Sequence, residues 1–126
     1  MSFNEKIGFL VGGASLYTGH TPAIRRLSIP AFNMNDGPQG FRWDTPPGTT
    51  TQFPAALRVA SSWDPNIVYS WAEAMGQEFH GKGANVQLGP GLNVNRIPTG
   101  GRNFEYLSGE DPYLGYIFSQ EAVRGI

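Results

Sequence analysis

The chain has 126 residues with nine basic and ten acidic side chains, a net charge of −1 and no cysteine. This length fits one domain, and because the charges form no run of one sign, the sequence excludes the basic surface that binds nucleic acid or an anionic membrane. No apolar stretch approaches the ~20 residues that span a bilayer, and the lack of cysteine excludes disulfides and thiolate metal sites.

The first third of the chain predicts a helix, an irregular segment and a buried strand. Residues 3–11 are typical of a helix, with Ser2 as its N-cap. Residues 14–27 are interpreted as irregular. Residues 28–35 predict a short strand with apolar side chains on both faces, as in a parallel sheet, and this strand runs into a turn cluster at 36–40.

The rest of the chain predicts two capped helices with a strand between them. The periodicity of residues 55–61 is ambiguous, and we favour a short strand there. Asp64-Pro65 is a typical helix start, followed by an amphipathic helix over 65–82. Residues 84–88 predict another strand. Asp111-Pro112 repeats the cap and proline signature and begins a last helix.

This order of elements places the chain in the α/β class. Strands that alternate with helices predict βαβ units and a parallel sheet. In such folds the ligand site lies at the carboxyl ends of the strands. Asp36 follows the strand predicted at 28–35, and Arg102 lies in a long polar loop, 93–109, after the strand predicted at 84–88. We therefore expect the site where these two loops meet.

Several motifs of other enzyme classes are missing from the sequence. Neither G-x-G-x-x-G nor the P-loop pattern occurs, and H-E-x-x-H and G-x-S-x-G are also absent. The two histidines, His20 and His80, are isolated, and His80 is explained by its place near a helix C-terminus. The sequence therefore predicts no nucleotide phosphate site, metal site, cofactor or serine-hydrolase elbow.

The first candidate site is the segment 33–42, NMNDGPQGFR. A carboxylate at a strand end, here Asp36, can accept hydrogen bonds from two neighbouring hydroxyls, and a sugar's vicinal diol offers such a pair. The alternative is that Asp36 caps its own turn.

The second candidate site is the segment 100–112, GGRNFEYLSGEDP. Arg102 supplies a fixed fork of donors, and Phe104 and Tyr106 alternate with polar residues and can pack on the apolar face of a sugar. The alternative is that Arg102 pairs with Glu105 to brace a loop, while the end of the segment serves only to begin a helix.

These segments carry a resemblance to a known family. The chain resembles glycoside hydrolase family 3, the β-glucosidase group, and the resemblance covers nearly its whole length. The form of residues 36–38, Asp-Gly-Pro, is similar to the β-glucosidase and β-xylosidase branch. The matching motifs are EKIG, IP, NDGPQG, GANVQLGPGLN, GRNFE and GEDPYL, at residues 5–8, 29–30, 35–40, 83–93, 101–105 and 109–114.

The resemblance implies an enzyme of carbohydrate metabolism. It implies a retaining β-glucosidase that hydrolyses terminal non-reducing β-D-glucosyl residues, with a β-glucoside or an oligosaccharide as substrate and with no cofactor. It implies that Asp36 and Arg102 bind hydroxyls of the terminal sugar. Weaker candidates for the pocket rim are Arg42, Trp43, Phe104 and Glu105.

The catalytic carboxylates are expected outside these 126 residues. A retaining glycosidase needs a nucleophile and a general acid/base about 5 Å apart. The family's nucleophile lies in a Ser-Asp-Trp type motif, whereas residues 62–64 read Ser-Trp-Asp. The order is wrong, so Asp64 is interpreted as a helix cap and no catalytic residue is assigned.

The family's first domain is a (β/α)8 TIM-like barrel, which needs ~250 residues. Residues 1–126 are therefore expected to form a partial N-terminal domain that is too short to close the barrel, with apolar helix faces such as Ile67, Trp71 and Met75 partly uncovered. The chain alone is expected to be inactive, because the remainder of the enzyme is needed for catalysis. The alternative is a non-catalytic carbohydrate-binding or scaffold protein derived from this segment.

Overall fold

The structure, a computed structural model, describes residues 1–42 and 49–126. Over the described residues it contains four α-helices and three strands, in the order helix, strand, strand, helix, helix, strand, helix, with two short 3-10 helices in the loops. The helices are α1 (Phe3–Val11), α2 (Ala56–Ala60), α3 (Pro65–Gly81) and α4 (Pro112–Gly125); the strands are β1 (Gly19–Thr21), β2 (Phe32–Asp36) and β3 (Val86–Leu88); the 3-10 helices are Arg25–Leu27 and Asn103–Glu105. Over the described ranges, no helix has both the length and the apolar character needed to cross a membrane.

The sheet is open and has three strands in the order β1-β2-β3. β2 and β3 are parallel, with Asp36 opposite Leu88, so their carboxyl ends lie side by side as predicted. β1 was not predicted: it lies within the segment interpreted as irregular and pairs antiparallel with β2. Its three residues carry no alternating pattern, so its strand conformation depends on the backbone pairing with β2.

Residues 55–61 were predicted as a strand, and this prediction is wrong. The segment forms α2, and its buried side chains Ala56, Val59 and Ala60 recur at the spacing of one helix face. A five-residue apolar run is too short for its periodicity to separate a strand from a helix turn, and the alanines favour the helix.

The core lies between α3, α4 and α2. α3 begins as predicted: Asp64 Oδ1 accepts a hydrogen bond from the backbone N–H of Asn66 at 2.9 Å. A Cβ on Gly125 of α4 would lie 2.6 Å from the carbonyl oxygen of Tyr69 of α3, so the two helices approach closely through a small residue. The core comprises Phe41, Ala56, Val59, Ala60, Val68, Trp71, Ala72, Met75, Phe79, Ala84, Leu107, Phe118 and Ala122.

The expectation of an uncovered α3 face holds only for Ile67, which is 48% exposed. Trp71 and Met75 are buried, because they belong to this core, and the indole N–H of Trp71 donates to the carbonyl of Pro54 at 3.2 Å. The described residues thus form an α/β unit whose three strands do not close a barrel, as predicted.

Candidate functional site

A cavity of about 770 Å³ lies where β2 and β3 end. Four segments surround it: the turn after β2, residues 50–52, the turn after β3, and the loop that contains Arg102. Its lining residues are 36–42, 50–52, 88–91, Arg102, Glu105 and Tyr106. The cavity is therefore at the carboxyl edge of the parallel pair, where the order of elements predicted a ligand site.

Asp36 is held at this edge by its buried neighbour Asn35. Asn35 is 1% exposed; its side-chain amide donates to the carbonyl of Arg42 at 2.6 Å and its Oδ1 accepts from the backbone N–H and hydroxyl of Thr18 at 3.2 and 3.0 Å. The backbone N–H of Arg42 in turn donates to the carbonyl of Asp36 at 2.8 Å. These bonds close the turn after β2 and fix the direction of Asp36.

The alternative that Asp36 caps its own turn is not what the structure shows. The turn is closed by backbone groups, with the N–H of Gly37 donating to the carbonyl of Gly40 at 2.9 Å. Within the described ranges no group donates a hydrogen bond to the Asp36 carboxylate, and its nearest cation is Arg42, whose Nη1 lies 3.9 Å from Oδ2. The carboxylate therefore keeps its acceptor capacity for a ligand.

Arg102 and Glu105 form an ion pair in the lining of the same cavity. Nε of Arg102 lies 2.9 and 3.0 Å from the two Glu105 oxygens, and Nη2 lies 2.7 Å from Oε2. The hydrogen bonds that Arg102 donates to Glu105, and then the charge of Glu105, raise the pKa of Arg102, and the negative charge of Asp36 adds a smaller contribution in the same direction. Arg102 is therefore a permanent cation within reach of the Asp36 charge.

The loop that contains Arg102 is fixed against β3 by a close backbone approach. Gly91 pairs with Tyr106 in an isolated parallel bridge, and the N–H of Leu107 donates to the carbonyl of Gly91 at 3.0 Å. Further along, the buried Ser108 hydroxyl donates to the carbonyl of Leu92 at 2.7 Å. Glu105 and Tyr106 thereby lie next to the turn after β3.

Residues 50–52, which also line the cavity, are held by the C-terminal end of α3. The Glu78 carboxylate accepts the backbone N–H of Thr51 at 3.0 and 3.1 Å. Lys82 Nζ donates to the hydroxyl of Thr49 at 2.9 Å. These residues are thus attached to a well-packed helix, although they belong to a long loop.

The structure brings four of the six residues singled out from the sequence to one cavity: Asp36, Arg42, Arg102 and Glu105. Phe104 does not line it and is 47% exposed, whereas Tyr106 does line it. Trp43 lies outside the described residues. Gln39, Thr51 and Gln52 also line the cavity and were not predicted from the sequence, where the only signal was the position of Gln39 within the motif that contains Asp36.

The chemistry of the cavity suits an uncharged, hydroxyl-rich ligand. Two carboxylates and two guanidinium groups line it, so their charges balance. Its volume falls in the range of small-molecule sites. Among the described residues no group of three His, Cys, Asp or Glu side chains is placed to hold a metal ion. Carboxylate acceptors and guanidinium donors in the lining of one cavity can bind hydroxyls of the same ligand.

A family model and several relatives match the chain. The model described as "Glycosyl hydrolase family 3 N terminal domain" matches residues 14–126. The chain is 39% identical to "Probable beta-glucosidase A" from Aspergillus niger, with all of this chain and 15% of that protein covered. It is 37% identical to "Thermostable beta-glucosidase B" from Acetivibrio thermocellus, covering 17% of that protein. The chain thus spans about a sixth of the length of these relatives.

Solved structures of the same kind share the fold. A β-glucosidase from Streptomyces venezuelae in complex with D-glucose has 34% sequence identity and a TM-score of 0.89, with all of this chain and 16% of that chain covered. β-Glucosidase 3B from Thermotoga neapolitana in complex with glucose has 34% identity and a TM-score of 0.81, with 96% of this chain and 19% of that chain covered.

Proposed function

The chain belongs to glycosyl hydrolase family 3, and from this premise we propose that it supplies the terminal-sugar site of a retaining β-glucosidase. The observation that carries the proposal is that Asp36 and Arg102, from two loops far apart in the sequence, line one cavity at the carboxyl ends of β2 and β3. Relatives named β-glucosidases, and solved neighbours that hold glucose, support glucose as the sugar.

In the proposed mode of binding, Asp36 accepts hydrogen bonds from two neighbouring hydroxyls of the terminal β-D-glucosyl residue. Arg102 donates to the same region of the sugar. Hydrogen bonds to charged groups are about twice as strong as neutral ones, and bonds to sugar hydroxyls that strengthen in the oxocarbenium-like transition state accelerate the reaction. Both residues therefore contribute to turnover through orientation of the sugar.

The bond-breaking step needs two further carboxylates. In a retaining mechanism one forms a covalent glycosyl-enzyme intermediate while the other protonates the leaving group and later activates water. We place both outside these 126 residues, since Asp64 is committed to capping α3. The substrate in this proposal is a β-glucoside or an oligosaccharide with a terminal β-D-glucosyl residue.

The test is a chimaera in which this chain replaces its matching segment in Thermotoga neapolitana β-glucosidase 3B. We expect Asp36→Ala to lower kcat/KM for an aryl β-glucoside by roughly 10²–10⁴-fold, because two charge-assisted hydrogen bonds of roughly 1.5–3 kcal/mol each are lost. The matched control is Asp64→Asn, which changes an aspartate outside the cavity and should leave turnover near normal. Near-normal turnover by Asp36→Ala would overturn the assignment.

A second candidate function is sugar binding without catalysis. It is favoured by one observation: the cavity and both proposed sugar-holding residues are formed by these 126 residues alone. The isolated chain would then bind glucose, and Asp36→Ala would abolish the binding. An isolated chain that binds no glucose, together with a chimaera that turns over, favours the first function.

A further inference from the structure

One side of the Arg102 guanidinium is occupied by Glu105. Both Glu105 oxygens accept from Nε, and Oε2 also accepts from Nη2. Glu105 is mostly covered, with 13% of its side chain exposed, whereas the Arg102 side chain is 70% exposed. The carboxylate is therefore the fixed partner, and the guanidinium is the group that faces outward.

The remaining donors of Arg102 lie on the other edge of the guanidinium plane. A guanidinium has five N–H donors in a rigid fork, and Glu105 engages Nε and Nη2. Within the part of the chain that the structure describes, no residue accepts a hydrogen bond from Nη1 of Arg102. Because the fork is planar, a carboxylate that fixes the inner edge also fixes the direction of the outer edge.

We propose that Glu105 is a positioning residue that acts through Arg102, holding one edge of its guanidinium so that Nη1 faces the sugar bound by Asp36. This inference rests on the proposed function and adds a role for a residue that itself does not bind the sugar. Both Glu105 oxygens accept from Arg102, and only 13% of the side chain is exposed, so the guanidinium is the principal partner of this carboxylate.

The charge of Glu105 is part of this role. The long side chain of an arginine loses rotamer freedom when a ligand fixes it. A carboxylate that binds the guanidinium through both oxygens orders the side chain beforehand, so less freedom is lost when the ligand binds. Without Glu105, an exposed Arg102 would sample many rotamers, so the cost of ordering it would reappear as weaker binding of sugar and transition state.

The test is a double-mutant cycle in the chimaera, with Glu105→Gln, Arg102→Ala and the double variant. We expect Glu105→Gln to lower kcat/KM by about tenfold or more when Arg102 is present, and by less than about twofold in the Arg102→Ala background. The dissociation constant of glucose is measured for the same four proteins, so the cycle is complete even where turnover is slow. The matched control is Glu121→Gln, which breaks the Arg124–Glu121 pair of the same spacing in α4 and should not change either quantity.

Two results would overturn the inference. Equal losses in both backgrounds would mean that Glu105 acts independently of Arg102, and no loss beside an intact Arg102 would mean that the pair only braces its loop. A purely structural role would lower the midpoint of thermal unfolding while leaving kcat/KM per folded enzyme unchanged. Failure of the proposed function is detected by a separate measurement: Asp36→Ala would then turn over at a near-normal rate, independently of the result of the double-mutant cycle.

Discussion

Gly91, in the turn after β3, allows the loop that contains Arg102 to lie close to this turn. A Cβ on this residue would lie 2.6 Å from the carbonyl oxygen of Glu105 and 2.8 Å from Cδ1 of Tyr106. Real Cβ atoms do not come so close to backbone, so any larger residue would force the segment away. A glycine is therefore required here by space and not by its backbone angles.

We expect Gly91→Ala in the chimaera to lower kcat/KM by about 10²-fold, because a displacement of about 1 Å at a positioning group is enough for such a loss. Steady-state kinetics on an aryl β-glucoside measure it. The control is Gly101→Ala in the same loop, where a Cβ would meet no atom within 4 Å. Equal activity of the two variants would contradict this account of Gly91.

The sequence was informative about single residues where their chemistry was specific. Asp36 and Arg102 each had a structural alternative, a turn cap and a loop brace, and the motifs shared with the family favoured the binding role for both. Phe104 and Tyr106 could not be separated, because both fit the same alternation. In the structure the 3-10 helix Asn103–Glu105 breaks that alternation, so Phe104 turns to solvent and only Tyr106 lines the cavity.

At the scale of elements, two side-chain contacts help to attach α1 to its neighbours. Phe9 packs edge-to-face on Phe32 of β2, with ring centroids 5.6 Å apart. Glu5 binds Arg26 through two short hydrogen bonds of 2.7 and 2.6 Å and also closes a capping box with Ser2. Hydrogen bonds from Arg26, and then from the Ser2 N–H, lower the pKa of Glu5 from 4.5 to about 2.

This lowered pKa sets the sign of a pH dependence. Because the folded-state pKa lies below the ordinary value, the Glu5–Arg26 pair contributes its full stabilisation above pH 4.5 and loses it as the pH falls toward about 2. We expect the difference between the chain and Glu5→Gln in the protection of the α1 amides against hydrogen exchange to shrink across that window.

The control for α1 is Glu121→Gln, which removes an ion pair within α4 and should leave exchange of the α1 amides unchanged. A difference between the chain and Glu5→Gln that stays constant from neutral pH to about 2 would contradict the role given to this pair.

Long elements with explicit start signals were predictable. Asp64 and Asp111, each followed by proline, begin α3 and α4 as the sequence indicated, and each aspartate caps its helix in the structure. The short elements were not predictable, because their conformation depends on partners distant in the chain. β1 is a strand because its backbone pairs with β2. α2 packs its alanines against a core formed mainly by α3 and α4.

At the scale of the whole molecule, these 126 residues leave much apolar surface in water. Several large side chains of α1 and the segment after it are more than three-quarters exposed, and others on α4 are about two-thirds exposed. These residues are Phe3, Leu10, Val11, Leu16, Tyr113, Tyr116 and Val123. Exposed apolar side chains grouped on an element are typical of surfaces that contact another part of a protein.

We therefore expect the chain on its own to unfold with poor cooperativity and to release no chromophore from an aryl β-glucoside. The poor cooperativity follows from the uncovered apolar faces. The lack of turnover follows from the placement of the nucleophile and the acid/base outside residues 1–126. Calorimetry and an end-point assay on the purified chain measure both, with the chimaera as the positive control. Full activity of the isolated chain would contradict both the placement of the carboxylates and the partial-domain interpretation.

The parallel pairing of β2 with β3 has a consequence for how the cavity forms during folding. Asn33 and Asn85, whose backbone N–H and side-chain oxygen join these strands, are 52 residues apart along the chain. Closing so long a loop costs entropy before any contact compensates it. Asp36 and Arg102 therefore face each other only after this long-range step. A sugar that binds both then stabilises the paired state by mass action, so the substrate would also favour completion of the fold that recognises it.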